Sequence, residues 1–197
     1  MTRESIQELV KKLRDLAIKK GANPDLIKLI NSNQVIVPNS WVRMKCKFGC
    51  SNYGNRLCCP PYAPTPKETQ NLLNEYSEAL LIGFDGKPNQ FYKHHKKMHK
   101  ILLRLEIEAF RAGYEKAFIF IAGTCSLCKQ CVLVDLPKEI HPDVAKRFCR
   151  HKNRMRPSME AAGIDVFGTV KNAGLELETI NINNVDKIKH FGLLLID

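Results

Sequence analysis

Eight cysteines in two clusters constrain this chain of 197 residues more than any other feature. In the second cluster, Cys125, Cys128 and Cys131 are separated by two residues each, and Cys149 follows after seventeen more. Three thiolates at this spacing can hold three corners of an iron–sulfur cubane, and a distant fourth cysteine completes it. Structural zinc sites more often pair two separated C-x2-C segments. The spacing therefore favours a [4Fe–4S] cluster and leaves zinc as the alternative.

The first cluster has a different spacing and ends in a proline turn. Cys46 and Cys50 are separated by three residues, and the sequence Cys58-Cys59-Pro60-Pro61 follows. We predict that Cys46, Cys50 and Cys59 bind a second [4Fe–4S] cluster and that Cys58 is the fourth ligand. Adjacent cysteines point in different directions in most backbones. The alternative is that Cys58 is a small buried residue and not a ligand. One iron of the first cluster would then be open to substrate.

These motifs resemble a prokaryotic family of predicted metal-binding proteins. The resemblance lies in CKFGCSNYGNRLCCPPYAPTP, ALLIGF, GTCSLCKQC and CRHKNRMRPSMEAAGIDVFGTVKNAG, which together span Cys46 to about Gly174. It implies metal binding of the iron–sulfur type in anaerobic bacteria and archaea. It implies no particular reaction. The C-x3-C-x2-C motif of radical S-adenosylmethionine enzymes is absent, because the third cysteine of the first cluster comes after seven residues.

The charge and the hydrophobic pattern limit the partners and the compartment. The formal net charge is +11, so an acidic protein or a nucleic acid is a candidate partner. The longest apolar runs are far shorter than the roughly 20 residues of a membrane span. The first twenty residues are charged and have no apolar signal core. We therefore expect a cytoplasmic protein whose cysteines bind metal rather than form disulfides.

Cations and histidines near the cysteines are further candidates. Arg150, Arg154 and Arg156 follow Cys149 closely and are predicted to neutralise or tune an anionic cluster. His95 and His99 share a face of a predicted long helix, but Lys93, Lys96, Lys97 and Lys100 surround them in sequence. Because these lysines repel a cation, we predict a solvated basic face there. The same face is the best candidate for nucleic-acid binding, although few aromatics accompany it.

The hydrophobic periodicity predicts an α+β fold in which helices cover a small sheet and the two cysteine-rich loops lie at strand ends. We predict one domain over residues 1–197. It comprises an N-terminal helical segment (1–40), a first cysteine loop (41–66) and an α/β core with the second cluster (79–197). The predicted helices cover residues 6–20, 23–30, 67–76, 91–112, 142–149 and 157–162, and the predicted strands cover residues 35–38, 79–84, 117–122 and 191–196.

Three functions are consistent with the sequence. The leading hypothesis is a protein with two [4Fe–4S] clusters that transfers electrons or assists a redox enzyme, with a redox protein as partner. The second is an enzyme in which an open iron acts as a Lewis acid or carries sulfur. The third is a zinc-stabilised module that binds nucleic acid. The sequence gives neither the oligomeric state nor any catalytic residue.

Overall fold

A four-stranded antiparallel sheet is the centre of the fold. The computed structural model describes residues 3–87, 91–137, 139–179 and 188–197. The strands are β1 (Ile27–Asn31), β2 (Glu78–Gly86), β3 (Phe118–Phe120) and β4 (Ile188–Leu195), in the spatial order β1-β2-β4-β3. The helices are α1 (Ile6–Lys20), α2 (Trp41–Gly49), α3 (Pro66–Leu73), α4 (Phe91–Arg111), α5 (Pro142–Arg147) and α6 (Val166–Asn172). The predicted α+β fold with a small sheet is confirmed.

The sheet has a hydrophobic core on each face, which explains why β2 is a continuous apolar run. Leu80, Ile82 and Phe84 point into a core with α1 and α4. Leu81 points the other way, into a core with Met159, Ile164 and Val170. Successive strand side chains alternate between faces, so both faces of β2 are apolar where both are covered. β2 pairs with β4 from Ala79–Leu195 to Gly86–Ile188.

The first helix follows its sequence signals closely. Ser5 accepts a hydrogen bond from the backbone N–H of Glu8, and the Glu8 side chain accepts one in return. This capping box satisfies backbone donors at the start of α1. Gly21 ends the helix in the left-handed conformation, with φ +112°, which glycine adopts without steric cost.

Three predicted elements are wrong because long-range pairing replaces them. The helix predicted over 23–30 is a short 3-10 turn followed by β1, in which Ile27 pairs with Ile82. The strand predicted over 35–38 is absent, and the Ile36 N–H donates to Thr169 Oγ1 of α6. The helix predicted over 157–162 is a turn that begins with a parallel bridge between Ile121 and Ser158. None of these partners is close in sequence.

Among the described residues, no helix combines the length and the apolar character that crossing a bilayer requires.

Candidate metal centres and the adjoining cleft

The first part of the predicted cysteine loop is a helix, and this helix positions two of the cysteines. α2 covers residues that we predicted to be a loop without regular structure. Cys46 lies within α2 and Cys50 caps its end. Residues four apart lie on one side of a helix, so both thiols face the same region. Cys46 is half-buried and Cys50 is exposed.

Cys59 completes a set of three thiols on this side, which we call the first thiol set (Cys46, Cys50 and Cys59). Burial raises the pKa of Cys59 to about 11, and the nearby Cys50 and Cys46 add to this effect. Burial also raises the pKa of Cys46. The side chains of Cys59 and Thr124 lie 3.4 Å apart, Sγ to Oγ1, so this set touches the segment that begins the second cluster. The peptide bond between Pro60 and Pro61 is cis.

Cys58 points away from the first thiol set and towards the second cluster. Its side chain is buried and its thiol hydrogen-bonds to Cys125, which raises the pKa of Cys58 and lowers that of Cys125. Our sequence assignment grouped Cys58 with Cys46, Cys50 and Cys59. The structure instead divides the two adjacent cysteines between two sites, because neighbouring side chains in a turn diverge.

The second thiol set therefore contains five cysteines around a small void of about 20 Å³. They are Cys58, Cys125, Cys128, Cys131 and Cys149. Leu57, Tyr62, Leu133 and Ala145 form a small apolar core against which Cys131 and Cys149 pack. The backbone N–H of His151 donates to Cys149 Sγ over 3.4 Å. Hydrogen bonds of this kind stabilise thiolates that bind metal.

Two arginines that the sequence pattern did not reveal hold the cysteine loops in place. Arg56 Nη1 donates to the carbonyl of Cys128 over 3.1 Å and lies 3.5 Å from that of Cys125. Arg43 Nη1 donates to the carbonyls of Pro64 and Ala161, over 3.0 and 2.6 Å. Irregular loops leave carbonyls without backbone partners. In the sequence, the one indication of this role was that Arg43 and Arg56 each lie within three residues of a cysteine.

The three arginines that we predicted beside the second cluster have different positions. Arg150 and Arg154 are exposed. Arg156 Nε donates to Glu106 Oε1 over 2.9 Å, and the Arg156 guanidinium lies over the Phe118 ring. The charge of Arg156 is therefore compensated by a carboxylate of α4.

The prediction that His95 and His99 lie on a solvated face of the helix is wrong. Both are buried, with 4% and 1% of their surface exposed, whereas Lys96, Lys97 and Lys100 are exposed. Burial lowers the pKa of each histidine to about 4. His99 Nδ1 accepts from the backbone N–H of Ser126 over 3.4 Å. The His95 ring packs directly on Gly123, so the two histidines support the segment that leads into the second thiol set.

A cleft of about 460 Å³ opens beside the first thiol set. Cys46 and Cys50 line it together with aromatic and polar side chains. The aromatic residues are Trp41, Phe167 and Phe191. The polar residues are Lys45, His95, Glu160, Asp165, Glu178, Lys189 and His190. A volume of this size is typical of small-molecule sites.

Both donor sets consist of thiols, a composition shared by iron–sulfur clusters and by zinc sites with four cysteines. Within the described ranges, no group of three or more His, Cys, Asp or Glu side chains is arranged to hold a metal ion.

The fold and the two thiol sets define a small α+β protein built around clustered potential metal ligands. The model of the family of predicted metal-binding proteins, DUF2284, matches residues 28–196. The chain therefore belongs to this family, and the predicted resemblance is confirmed at that level. Searches of curated proteins and of solved structures gave no match.

Proposed function

We propose that this protein binds two neighbouring [4Fe–4S] clusters and transfers electrons between them. The observation that carries the proposal is the division of Cys58 and Cys59 between the two thiol sets. Two centres attached to adjacent residues are direct neighbours. Clusters held by cysteine thiolates are electron carriers whose potentials depend on burial and hydrogen bonds.

The two sites would have different potentials, because their surroundings differ. The second thiol set lies against an apolar core, whereas the first contains the exposed Cys50. Solvent exposure and hydrogen bonds to sulfur both change the reduction potential of a cluster. A difference of this kind gives electron transfer between the two centres a direction.

An electron-carrying partner would dock on the outer face of α2. Met44 and Phe48 are 50% and 75% exposed, and Lys47 lies beside Phe48. Exposed apolar residues surrounded by charge are typical of protein–protein contacts. Lys47 and the net charge of +11 complement an acidic redox protein.

A second candidate function is an enzyme with an open iron at the first thiol set. It is favoured by the three thiols of this set, which leave one corner of a cubane without a cysteine, and by the cleft that Cys46 and Cys50 line. Cys46, Cys50 and Cys59 would hold the cluster. Its open iron would supply Lewis acidity to a molecule in the cleft.

The first experiment is iron, sulfide and zinc analysis of protein purified without oxygen. Two cubanes correspond to about eight irons and eight sulfides per chain. We expect Cys59→Ser to lose about half of the iron and half of the sulfide. Cys58→Ser should retain nearly all of both, because four other cysteines remain in the second thiol set. Electron paramagnetic resonance of the reduced protein should show spin coupling between neighbouring clusters.

Each alternative gives a different result. One or two zincs per chain and no sulfide would contradict both iron–sulfur proposals. Loss of a cluster in Cys58→Ser together with retention in Cys59→Ser would contradict the division of the cysteines. A wild-type spectrum that changes when a small iron ligand such as cyanide is added would favour the open-iron enzyme over simple electron transfer.

A further inference from the structure

The cleft beside the first thiol set has the chemistry of a site for a small positively charged ligand. Three carboxylates, Glu160, Asp165 and Glu178, line the cleft, against two ammonium groups, Lys45 and Lys189. His95 also lines it and is uncharged near neutral pH, because burial disfavours its protonated form. Burial raises the pKa of Glu160, so the full negative charge of the cleft rests on Asp165 and Glu178. These two carboxylates balance the two lysines in a protein that is basic overall.

Both lysines of the cleft contact groups of the protein. Lys45 Nζ lies 5.2 Å from the centre of the Trp41 ring. Lys189 Nζ donates to the backbone carbonyl of Glu176 over 3.1 Å. These contacts use part of the hydrogen-bonding or cation–π capacity of each ammonium group.

Aromatic faces supply the second half of a cation site. Trp41, Phe167 and Phe191 line the cleft, and Trp41 and Phe167 are 44% and 46% exposed. The faces of aromatic rings attract cations, with tryptophan the strongest, and groups of such rings recognise alkylated ammonium ions. The position of Lys45 over Trp41 shows that this ring face is accessible to a cation.

We propose that the cleft binds a small organic ammonium ion, with its alkyl groups against the aromatic rings and its charge beside Asp165 and Glu178. The proposal rests on the proposed function only for the extra negative charge that metal-bound thiolates of Cys46 and Cys50 add. The location beside these cysteines makes the ammonium compound a candidate substrate of the first site.

The test uses three probes of similar shape and different charge on the anaerobically purified protein. Choline is the cation, 3,3-dimethyl-1-butanol its neutral isostere, and 3,3-dimethylbutanoate the anion. The chain has one tryptophan, and this residue, Trp41, lines the cleft, so tryptophan fluorescence reports binding directly. Titration calorimetry provides an independent measurement.

We expect choline to bind about tenfold more tightly than the neutral isostere, and the anion to bind least. Glu178→Gln should weaken choline binding about threefold and leave binding of the neutral probe unchanged. Lys45→Gln should strengthen choline binding, because it removes a competing cation from Trp41. The matched control is Glu115→Gln, which changes an exposed carboxylate outside the cleft and should have no effect.

Equal affinities for the three probes, preference for the anion, or no binding of any probe would each overturn the proposal. Iron and sulfide content, measured on the same samples, separates this result from the proposed function. Full clusters without choline binding refute only the ammonium site. Choline binding without clusters supports the ammonium site and refutes the iron–sulfur proposal.

Discussion

The two thiol sets of this protein share a dipeptide but have opposite surroundings. The first set joins a helix, α2, to a proline turn and opens to a cleft through Cys46 and Cys50. The second set encloses a void of about 20 Å³ and packs against its own small apolar core. Each set has its own arginine, Arg43 for the first and Arg56 for the second.

The different surroundings of the two sets suit two different roles of a metal centre. A centre that stores electrons is better enclosed, since burial excludes water and oxidants. A centre that reacts with a molecule needs an open side and a binding cleft. Four predictions test whether the two sites are as different as their surroundings indicate.

The largest effect is expected from Gly123→Ala, next to the second thiol set. Gly123 has φ +70°, and an added Cβ would overlap the His95 ring. The backbone penalty and the overpacking together should lower the free energy of unfolding by about 2–5 kcal/mol. Gly54 in the first cysteine loop is the matched control, because it has φ +69° and open space around it. Gly54→Ala should cost about 1–2 kcal/mol. Equal losses in chemical denaturation would show that His95 does not pack tightly there.

Acid should destabilise the protein through its buried histidines. The pKa of His99 is lowered from its ordinary value of 6.5 to about 4 by burial, so the unfolded chain binds more protons than the native chain between these values. The stabilisation is complete above pH 6.5 and is lost as the pH falls towards 4, by about 2–3 kcal/mol.

Urea unfolding measured across this pH range checks the prediction. His99→Phe should flatten the dependence of the unfolding free energy on pH. An unaltered pH profile in His99→Phe would contradict the role assigned to His99 burial.

Replacing either arginine should affect the thiol set that this arginine supports and leave the other set unchanged. Arg56→Met removes the donor to the carbonyls of Cys125 and Cys128 and should weaken iron retention at the second set about 10- to 100-fold. Arg43→Met should do the same at the first set. Iron release to a chelator, followed by spectroscopy that separates the clusters, measures both. If either variant affects both sites equally, the two sites are coupled more strongly than their separate contacts indicate.

The smallest effect is expected from Thr124→Val. Thr124 precedes the second cluster in sequence, but its hydroxyl lies 3.4 Å from Cys59 Sγ of the first set. Loss of this hydrogen bond should weaken iron retention at the first set by less than about tenfold, with no change at the second. The same chelator assay measures this effect, with Ser126→Ala as the control on the His99 side. A Thr124→Val variant in which only the second cluster changed would contradict the assignment of Thr124 to the first set.

Local sequence signals were sufficient for part of the fold. The helix over 6–20 and the strand over 79–84 were predicted correctly because each depends on neighbouring residues. In the structure, a capping box of Ser5 and Glu8 starts this helix and the left-handed Gly21 ends it. The strand β1 and the bridge at Ser158 were misassigned, because their pairing partners are tens of residues away. The helix α2 was missed because ten of residues 41–66 are cysteine, glycine or proline, which are typical of loops.

The sequence predicted which residues form the candidate sites, but not how these residues are grouped in space. The spacing of the cysteines predicted metal binding, and membership of a family of predicted metal-binding proteins supports that statement. The orientation of Cys58 depends on a tight turn, and the burial of His95 and His99 depends on the face that α4 turns towards the second cysteine segment. Lysines beside them in sequence predicted solvent exposure for the whole face.

The sequence by itself determined which residues can bind metal, because thiol chemistry and short spacings are local properties of the chain. Only the tertiary structure decided which thiols meet, which stay open to a cleft and which arginine holds each loop. The physical reason is that these contacts join segments far apart in the chain, such as Arg43 with Ala161 and Cys58 with Cys125. Such contacts depend on packing around the sheet, which no local pattern encodes.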